Sequence, residues 1–205
     1  MKFISAKYII LLAISISILF LLNIFGTYTK TPIEAIEEVR DEIGFILHEM
    51  DVDGDKILMY SRDTGEESQQ LNVDFVKKSW MGWTRGYGGS GSIPSYSENK
   101  FFMDVDSISS MYFPSTKDTP IGDTPFPMFV GVLNNPNIET ITMLSHLTGE
   151  EQTVNLVQGS GYRIWYLFVT KEDGYEFTMK LLSSNGDIVY EEDINEEFLF
   201  ELDGE

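Results

Sequence analysis

The apolar positions along this chain change their period twice, and each change predicts a different kind of element. Residues 8–25 carry no charge, and a run of that length meets the roughly 17–25 residues that a helix needs to cross a bilayer core. Ser15 and Ser17 can return their hydroxyls to helix carbonyls and Asn23 falls near the far headgroups, so none of them spoils a span. From Ile33 the spacing becomes three to four. Ile33, Ile36, Val39 and Ile43 recur with acids between them, which predicts one apolar face on a helix of about eleven residues. Thr31-Pro32-Ile33-Glu34 opens it with a cap, a proline in the first turn and a glutamate that completes a capping box, and Gly44 closes it.

From Phe45 onward the pattern turns to short runs rich in β-branched and aromatic residues, separated by turn chemistry. Residues 45–51 and 56–62 flank Asp53-Gly54, a strong hairpin signal. A third strand, Gln69–Ser79, follows the turn at Asp63-Thr64-Gly65 and completes an antiparallel meander. Residues 82–125 read as loops and a linker, with a glycine-serine tract, one strand at 100–108, and Pro114, Pro120 and Pro125. Further strands are expected at 129–133, Ile138–Ser145, 152–158, 162–170, 175–183, 187–192 and 198–202. Their spacing of about ten residues predicts an immunoglobulin-like β-sandwich. Residues 162–169 are apolar on both faces, which marks a central strand. The expected fold is therefore mainly β and α+β overall. A transmembrane helix and short linker occupy residues 1–30, an amphipathic helix with an antiparallel meander 31–122, and the sandwich 123–205.

Charge gives this layout an orientation. Lys2 and Lys7 precede the apolar run, whereas Glu34, Glu37, Glu38, Asp41 and Glu42 follow soon after it, so the positive end stays in the cytoplasm and the C-terminal region lies outside. The residues after the run lack a small-x-small cleavage pattern, which favours an uncleaved signal anchor over a signal peptide cut after about Gly26. The chain has 33 acidic and 14 basic side chains and a net charge of −19. No acid precedes residue 31, and three of the basic residues do, so the exported part carries about −22. Such a field repels nucleic acid and other polyanions, which removes nucleic acid as a partner. The absence of cysteine excludes disulfide stapling and thiol chemistry, and a region of roughly 175 residues can bury enough apolar surface without them.

Candidate chemistry is sparse. Asp51, Asp53 and Asp55 alternate like the opening of a calcium loop, but the sixth position holds Lys56 instead of glycine and the twelfth holds Arg62 instead of glutamate. The three acids read as a solvated hairpin turn, with a weak calcium site as the alternative. Gly86-Tyr87-Gly88-Gly89-Ser90-Gly91 fits the dinucleotide fingerprint only as a string, because Ser92-Ile93-Pro94 cannot open the helix that motif requires. His48 and His146 are the two histidines, and no serine-centred signature accompanies either. No catalytic residue, cofactor or metal is expected, and an extracellular hydrolase is the least favoured reading.

The most unusual local composition is Lys77-Lys78-Ser79-Trp80-Met81-Gly82-Trp83-Thr84-Arg85-Gly86-Tyr87. Trp80, Trp83, Arg85 and Tyr87 could stack on sugar rings, dock a peptide or sit in a headgroup layer. Alternatively Trp80 and Trp83 close the core. Together with this segment, Arg163-Ile164-Trp165-Tyr166 and Asn185-Gly186-Asp187-Ile188-Val189-Tyr190 resemble membrane-anchored extracytoplasmic proteins of spore-forming Gram-positive bacteria. That resemblance implies a location and no activity, and it carries over no residue roles. The function expected is a membrane-tethered, non-catalytic binding protein of the cell envelope. It is held through residues 8–25 and engages another envelope protein or a cell-wall component. An accessory subunit of a membrane complex is the alternative.

Overall fold

A computed structural model describes residues 14–17, 28–40, 43–63, 69–93, 108–117, 119, 121–159 and 162–195. The chain is mainly β, and among the described residues all strand pairings are antiparallel. The expected span at residues 8–25 lies outside the described residues except for 14–17, which are helical and expose Ile14 and Ile16. Among the described residues no helix is long and apolar enough to cross a membrane.

Helix α1 (Pro32–Glu37) begins with the expected Thr31 cap, but the expected capping box is not closed, because Glu34 reaches one residue past the cap. The Thr31 hydroxyl accepts from the Glu34 amide, and the Glu34 carboxylate accepts from the Lys30 amide. It is shorter than its apolar spacing predicts. The amides of Val39 and Arg40 both bond to the Ile36 carbonyl, so the chain turns off the axis. Only Ala35 and Ile36 face inward, while Ile33 and Val39 stay exposed.

The first sheet is a meander of β1 (Ile46–Val52), β2 (Asp55–Asp63), β3 (Gln69–Ser79) and β4 (Gly82–Ser92), paired in that order. Asp53 and Gly54 both take positive φ, 51° and 91°, as a two-residue hairpin turn demands. Strand β4 corrects the expected loop at 82–125. Its glycines admit close neighbours: a Cβ on Gly88 would collide with Asp74 and the Val73 carbonyl, and one on Gly89 or Gly91 would displace Phe113 or Met111. A tract that reads as flexible is thus a strand flattened to let others approach. The rest of the expected linker contains β5 (Met111–Phe113). The expected strand at 100–108 lies outside the described residues except for Ile108, which bridges Leu133.

Eight further elements complete two more sheets: β6 (Met128–Leu133), β7 (Ile138–Ser145), β8 (Glu151–Thr153), β9 (Asn155–Gln158), β10 (Arg163–Phe168), a single 3₁₀ turn (Lys171–Asp173), β11 (Glu176–Ser183) and β12 (Ile188–Asn195). The strand orders are β5-β6-β10-β9 and β12-β11-β7-β8. The single strand expected at 152–158 is therefore divided between two sheets, β8 pairing with β7 and β9 with β10. Val154 is the pivot, buried and bonded through its amide to the Ile141 carbonyl at 3.0 Å. The strand expected at 198–202 lies outside the described residues.

Alternation along the middle sheet assigns its two faces. Met128, Val130, Val132 and Ile164 pack on Ile57, Met59, Leu71, Val73 and Phe75 of the meander. Phe129, Leu133, Trp165 and Leu167 pack on Ile141, Met143, Phe177 and Met179 of the third sheet. Residues on both sides of position 122 thus build one core. The layers run α1, meander, middle sheet, third sheet, and every residue of β6 is buried. Trp165 depends on Gly131: its indole Nε1 donates to the Ser109 carbonyl at 3.0 Å through space that a Cβ on Gly131 would occupy. Gly131→Ala is expected to cost about 1–3 kcal/mol or more in urea denaturation. Gly186→Ala, in an open turn, should cost only the left-handed backbone penalty, on the order of 1 kcal/mol. A smaller loss at Gly131 than at Gly186 would contradict this packing.

Candidate functional site

The aromatic and basic cluster around Trp80 is divided by the geometry of β4. Opposite Phe75 and Val76 the pairing passes from Tyr87 to Arg85, leaving Gly86 as an inserted bulge residue. The bulge reverses the facing of the strand. Trp83 and Arg85 point outward beneath α1, while Tyr87 points inward and packs edge-on against Phe113 and Phe126.

Trp83 is 9% exposed and closes a small core with Ala35, Ile36, Leu58, Tyr60 and Val76, with the Lys78 ammonium 5.3 Å from its ring centroid. Trp80, at the β3–β4 turn, is 85% exposed. Of the four residues, only Trp80 presents its ring to solvent. Thr29 pairs with Trp83 by reciprocal backbone bonds of 2.9 Å each. That pairing fastens the segment following residues 8–25 to the free edge of the meander.

A polar cluster lies beside it that the sequence reading does not single out. Asp74, fully buried, accepts from the Tyr60 hydroxyl at 2.6 Å and from Arg85 Nε at 2.5 Å, and lies 3.3 Å from Arg40 Nε. The signal was present but ambiguous: Asn72 and Asp74 alternate with Leu71, Val73 and Phe75, which reads as a solvated outer face until α1 and Arg40 cover it. Two hydrogen bonds and the neighbouring Arg40 guanidinium engage the carboxylate, so the cluster fastens helix to sheet.

The remaining candidates have local partners. Asp51 pairs with Lys56 at 3.1 Å, and Asp55 accepts from the Lys78 amide at 2.7 Å. Asp53 occupies the turn itself. Among the described residues no three His, Asp or Glu side chains converge as metal ligands. His48 stacks on Tyr166 at 5.7 Å, and burial lowers its pKa. His146 is grouped with Thr178 and Asp193, but in an order unsuited to nucleophilic catalysis. Because a carboxylate only accepts, the Thr178 hydroxyl donates to Asp193 at 2.7 Å and accepts from His146 Nε2, also at 2.7 Å. The proton that a base would remove points away from the imidazole.

A shallow concavity of about 360 Å³ is lined by Leu133, Asn134, Pro136, Gln158, Tyr162 and Arg163. Arg163 is the one charged side chain in that lining. Its guanidinium donates to the carbonyls of Ile138, at 2.6 Å, and Asn135, so it is held rigidly, and burial lowers its pKa against the opposing charge of Glu139. The Tyr162 hydroxyl reaches Gln69 at the start of β3. Trp80 follows the other end of the same strand, so the concavity and the exposed tryptophan occupy opposite ends of the meander.

No known protein family, curated protein or solved structure matches the chain.

Asp74→Asn is expected to destabilise the fold by about 3–5 kcal/mol, because it leaves two largely buried guanidinium groups uncompensated. Burial, followed by the hydrogen bond to Asp74, raises the Tyr60 phenol above its ordinary value of 10.0. The folded chain therefore retains that proton to higher pH than the unfolded one, so the stabilisation is full below pH 10 and declines as pH rises above it. Tyr60→Phe should lose about 1 kcal/mol at neutral pH yet show a flatter decline in denaturation midpoint above pH 10. An equal alkaline decline in both proteins would remove Tyr60 as its source.

Proposed function

We propose that this chain is a membrane-tethered, extracytoplasmic, non-catalytic binding protein of the cell envelope, anchored at one end of the meander and binding at the other. The observation that carries this reading is the polarity of β3. At one end the Thr29–Trp83 pairing brings in the segment that follows the apolar run. At the other the Tyr162–Gln69 contact sets the Arg163 concavity. The exposed Ile14 and Ile16 of the helical residues 14–17 suit an apolar surround.

The second and third sheets read as an immunoglobulin-like sandwich. Their orders, β5-β6-β10-β9 and β12-β11-β7-β8, follow the ABED and GFC arrangement with one added edge strand. In such sandwiches the loops at one end commonly serve binding. Here that end holds Asn134, Pro136 and Arg163. A cationic group in an otherwise uncharged lining suits an anionic group on a protein or wall component. The resemblance to anchored proteins of spore-forming Gram-positive bacteria agrees with this setting.

A second reading, an accessory subunit of a membrane complex, is favoured by one observation. Ile33 and Val39 of the α1 region remain exposed close to Thr29, where a neighbouring subunit could cover them.

Two measurements test the tethered reading. The protein should stay in the membrane pellet after alkaline carbonate extraction, and external protease should digest its C-terminal region in intact cells; recovery in the soluble fraction would overturn it. In a crosslinking pull-down from intact membranes, Asn134→Asp, which adds a negative charge beside Arg163, should reduce partner capture about tenfold. Capture unchanged by Asn134→Asp but lost on replacing residues 8–25 with an unrelated span would favour the accessory subunit.

A further inference from the structure

We propose that the tip of the β3–β4 hairpin, Trp80 with Met81, enters the interfacial layer of the membrane that holds residues 8–25, giving the protein a second attachment beside its anchor. The inference rests on the anchor reading above and goes beyond it by assigning the exposed tryptophan a lipid partner.

Chain length confines the tip to that neighbourhood. Thr29 is bonded in both directions to Trp83, and it is the fourth residue after Phe25, the last of the apolar run. Four extended residues reach at most about 14 Å. Trp80 lies three residues from Trp83 around the same turn, about 10 Å in extended chain. The tip therefore cannot be carried far from the point where the chain leaves the bilayer.

The residues there suit that layer. Trp80 is 85% exposed, a costly position for an indole in water and a favoured one among headgroups, where its apolar body and N–H are both satisfied. Lys78 and Lys77 precede it by two and three residues, and the Lys78 ammonium lies 5.3 Å from the Trp83 ring centroid, so positive charge stands close to the hairpin tip in a chain whose net charge is −19. The acidic turn Asp53-Gly54 is at the same end of the sheet but does not reach as far. The pairing of Lys56 with Val76 sets Gly54 level with Lys78, and Trp80 and Met81 extend about two residues, roughly 6 Å, beyond it. Gly82 belongs to the same arrangement: it takes φ 133°, and a Cβ there would collide with the Thr29 carbonyl, so glycine is what allows the anchor segment to lie against the hairpin.

Two attachment points separated along the membrane would limit the tilt of the exterior region, whereas a single span would let it swing. The test uses the full chain in lipid nanodiscs of phosphatidylcholine and phosphatidylglycerol. The chain has no cysteine, so Met81→Cys and, as a reference, Leu147→Cys each accept one environment-sensitive fluorophore. Leu147 lies in the β7–β8 turn of the third sheet and is 71% exposed. The probe at position 81 should be quenched by lipids spin-labelled near the headgroup and shielded at least about twofold from aqueous iodide relative to position 147. Adding Trp80→Ser should abolish both effects. Quenching by iodide equal to that at position 147, shielding without lipid quenching, or indifference to Trp80→Ser would each overturn the insertion. Protein that fails to remain with the disc would overturn the anchor reading as well, an outcome recognised before any fluorescence is read.

Discussion

The middle sheet has no solvent face, and the rest of the molecule follows from that constraint. Strands β6 and β10 alternate between two apolar surfaces, so neither surface can be left to water. One is covered by the meander and the other by the third sheet. The connection from β8 to β9 meets the same demand from the side, since by changing sheets at Val154 it supplies an edge strand to each.

Close stacking then decides the residues of the covering layer. β4 must lie against β5 and over a buried carboxylate, so it is built from glycine where other strands carry side chains. The outer face of the meander holds Asp74, Tyr60 and Arg85 with Arg40 above them, a group in which one carboxylate serves two guanidinium groups and a phenol. A buried ionic cluster adds little net stability over an apolar core, but it penalises every other placement of the helix. Here it determines where α1 sits, and with it the segment that ends at Thr29.

The elements that sequence could disclose were those with local causes. The Asp53-Gly54 turn, the Thr31 cap and the strands Gln69–Ser79 and Ile138–Ser145 each follow from residues within one or two turns. The features that escaped it depend on distant partners. The glycine tract is a strand only because Asp74, Phe113 and Met111 approach it, and residues 152–158 divide only because two sheets need edges. The residues around Trp80 were visible as a composition, but a single bulge at Gly86 separates Tyr87 from Trp83. Alternation read along the sequence has no means of registering an inserted residue. The Arg163 concavity combines the β6–β7 and β9–β10 connections, which are separated in the chain, and no motif spans them.

The reciprocal pairing of Thr29 with Trp83 also has a mechanical meaning. In the tethered reading, the membrane pulls on the meander at one end of its strands and a bound partner pulls at the other. Tension then runs along β3 and β4, whose many ladder bonds would have to shear together instead of parting one after another. An attachment across the strands would unzip under the same load. The direction in which the anchor segment joins the sheet thus makes this region a force-bearing strut between the bilayer and the site of contact.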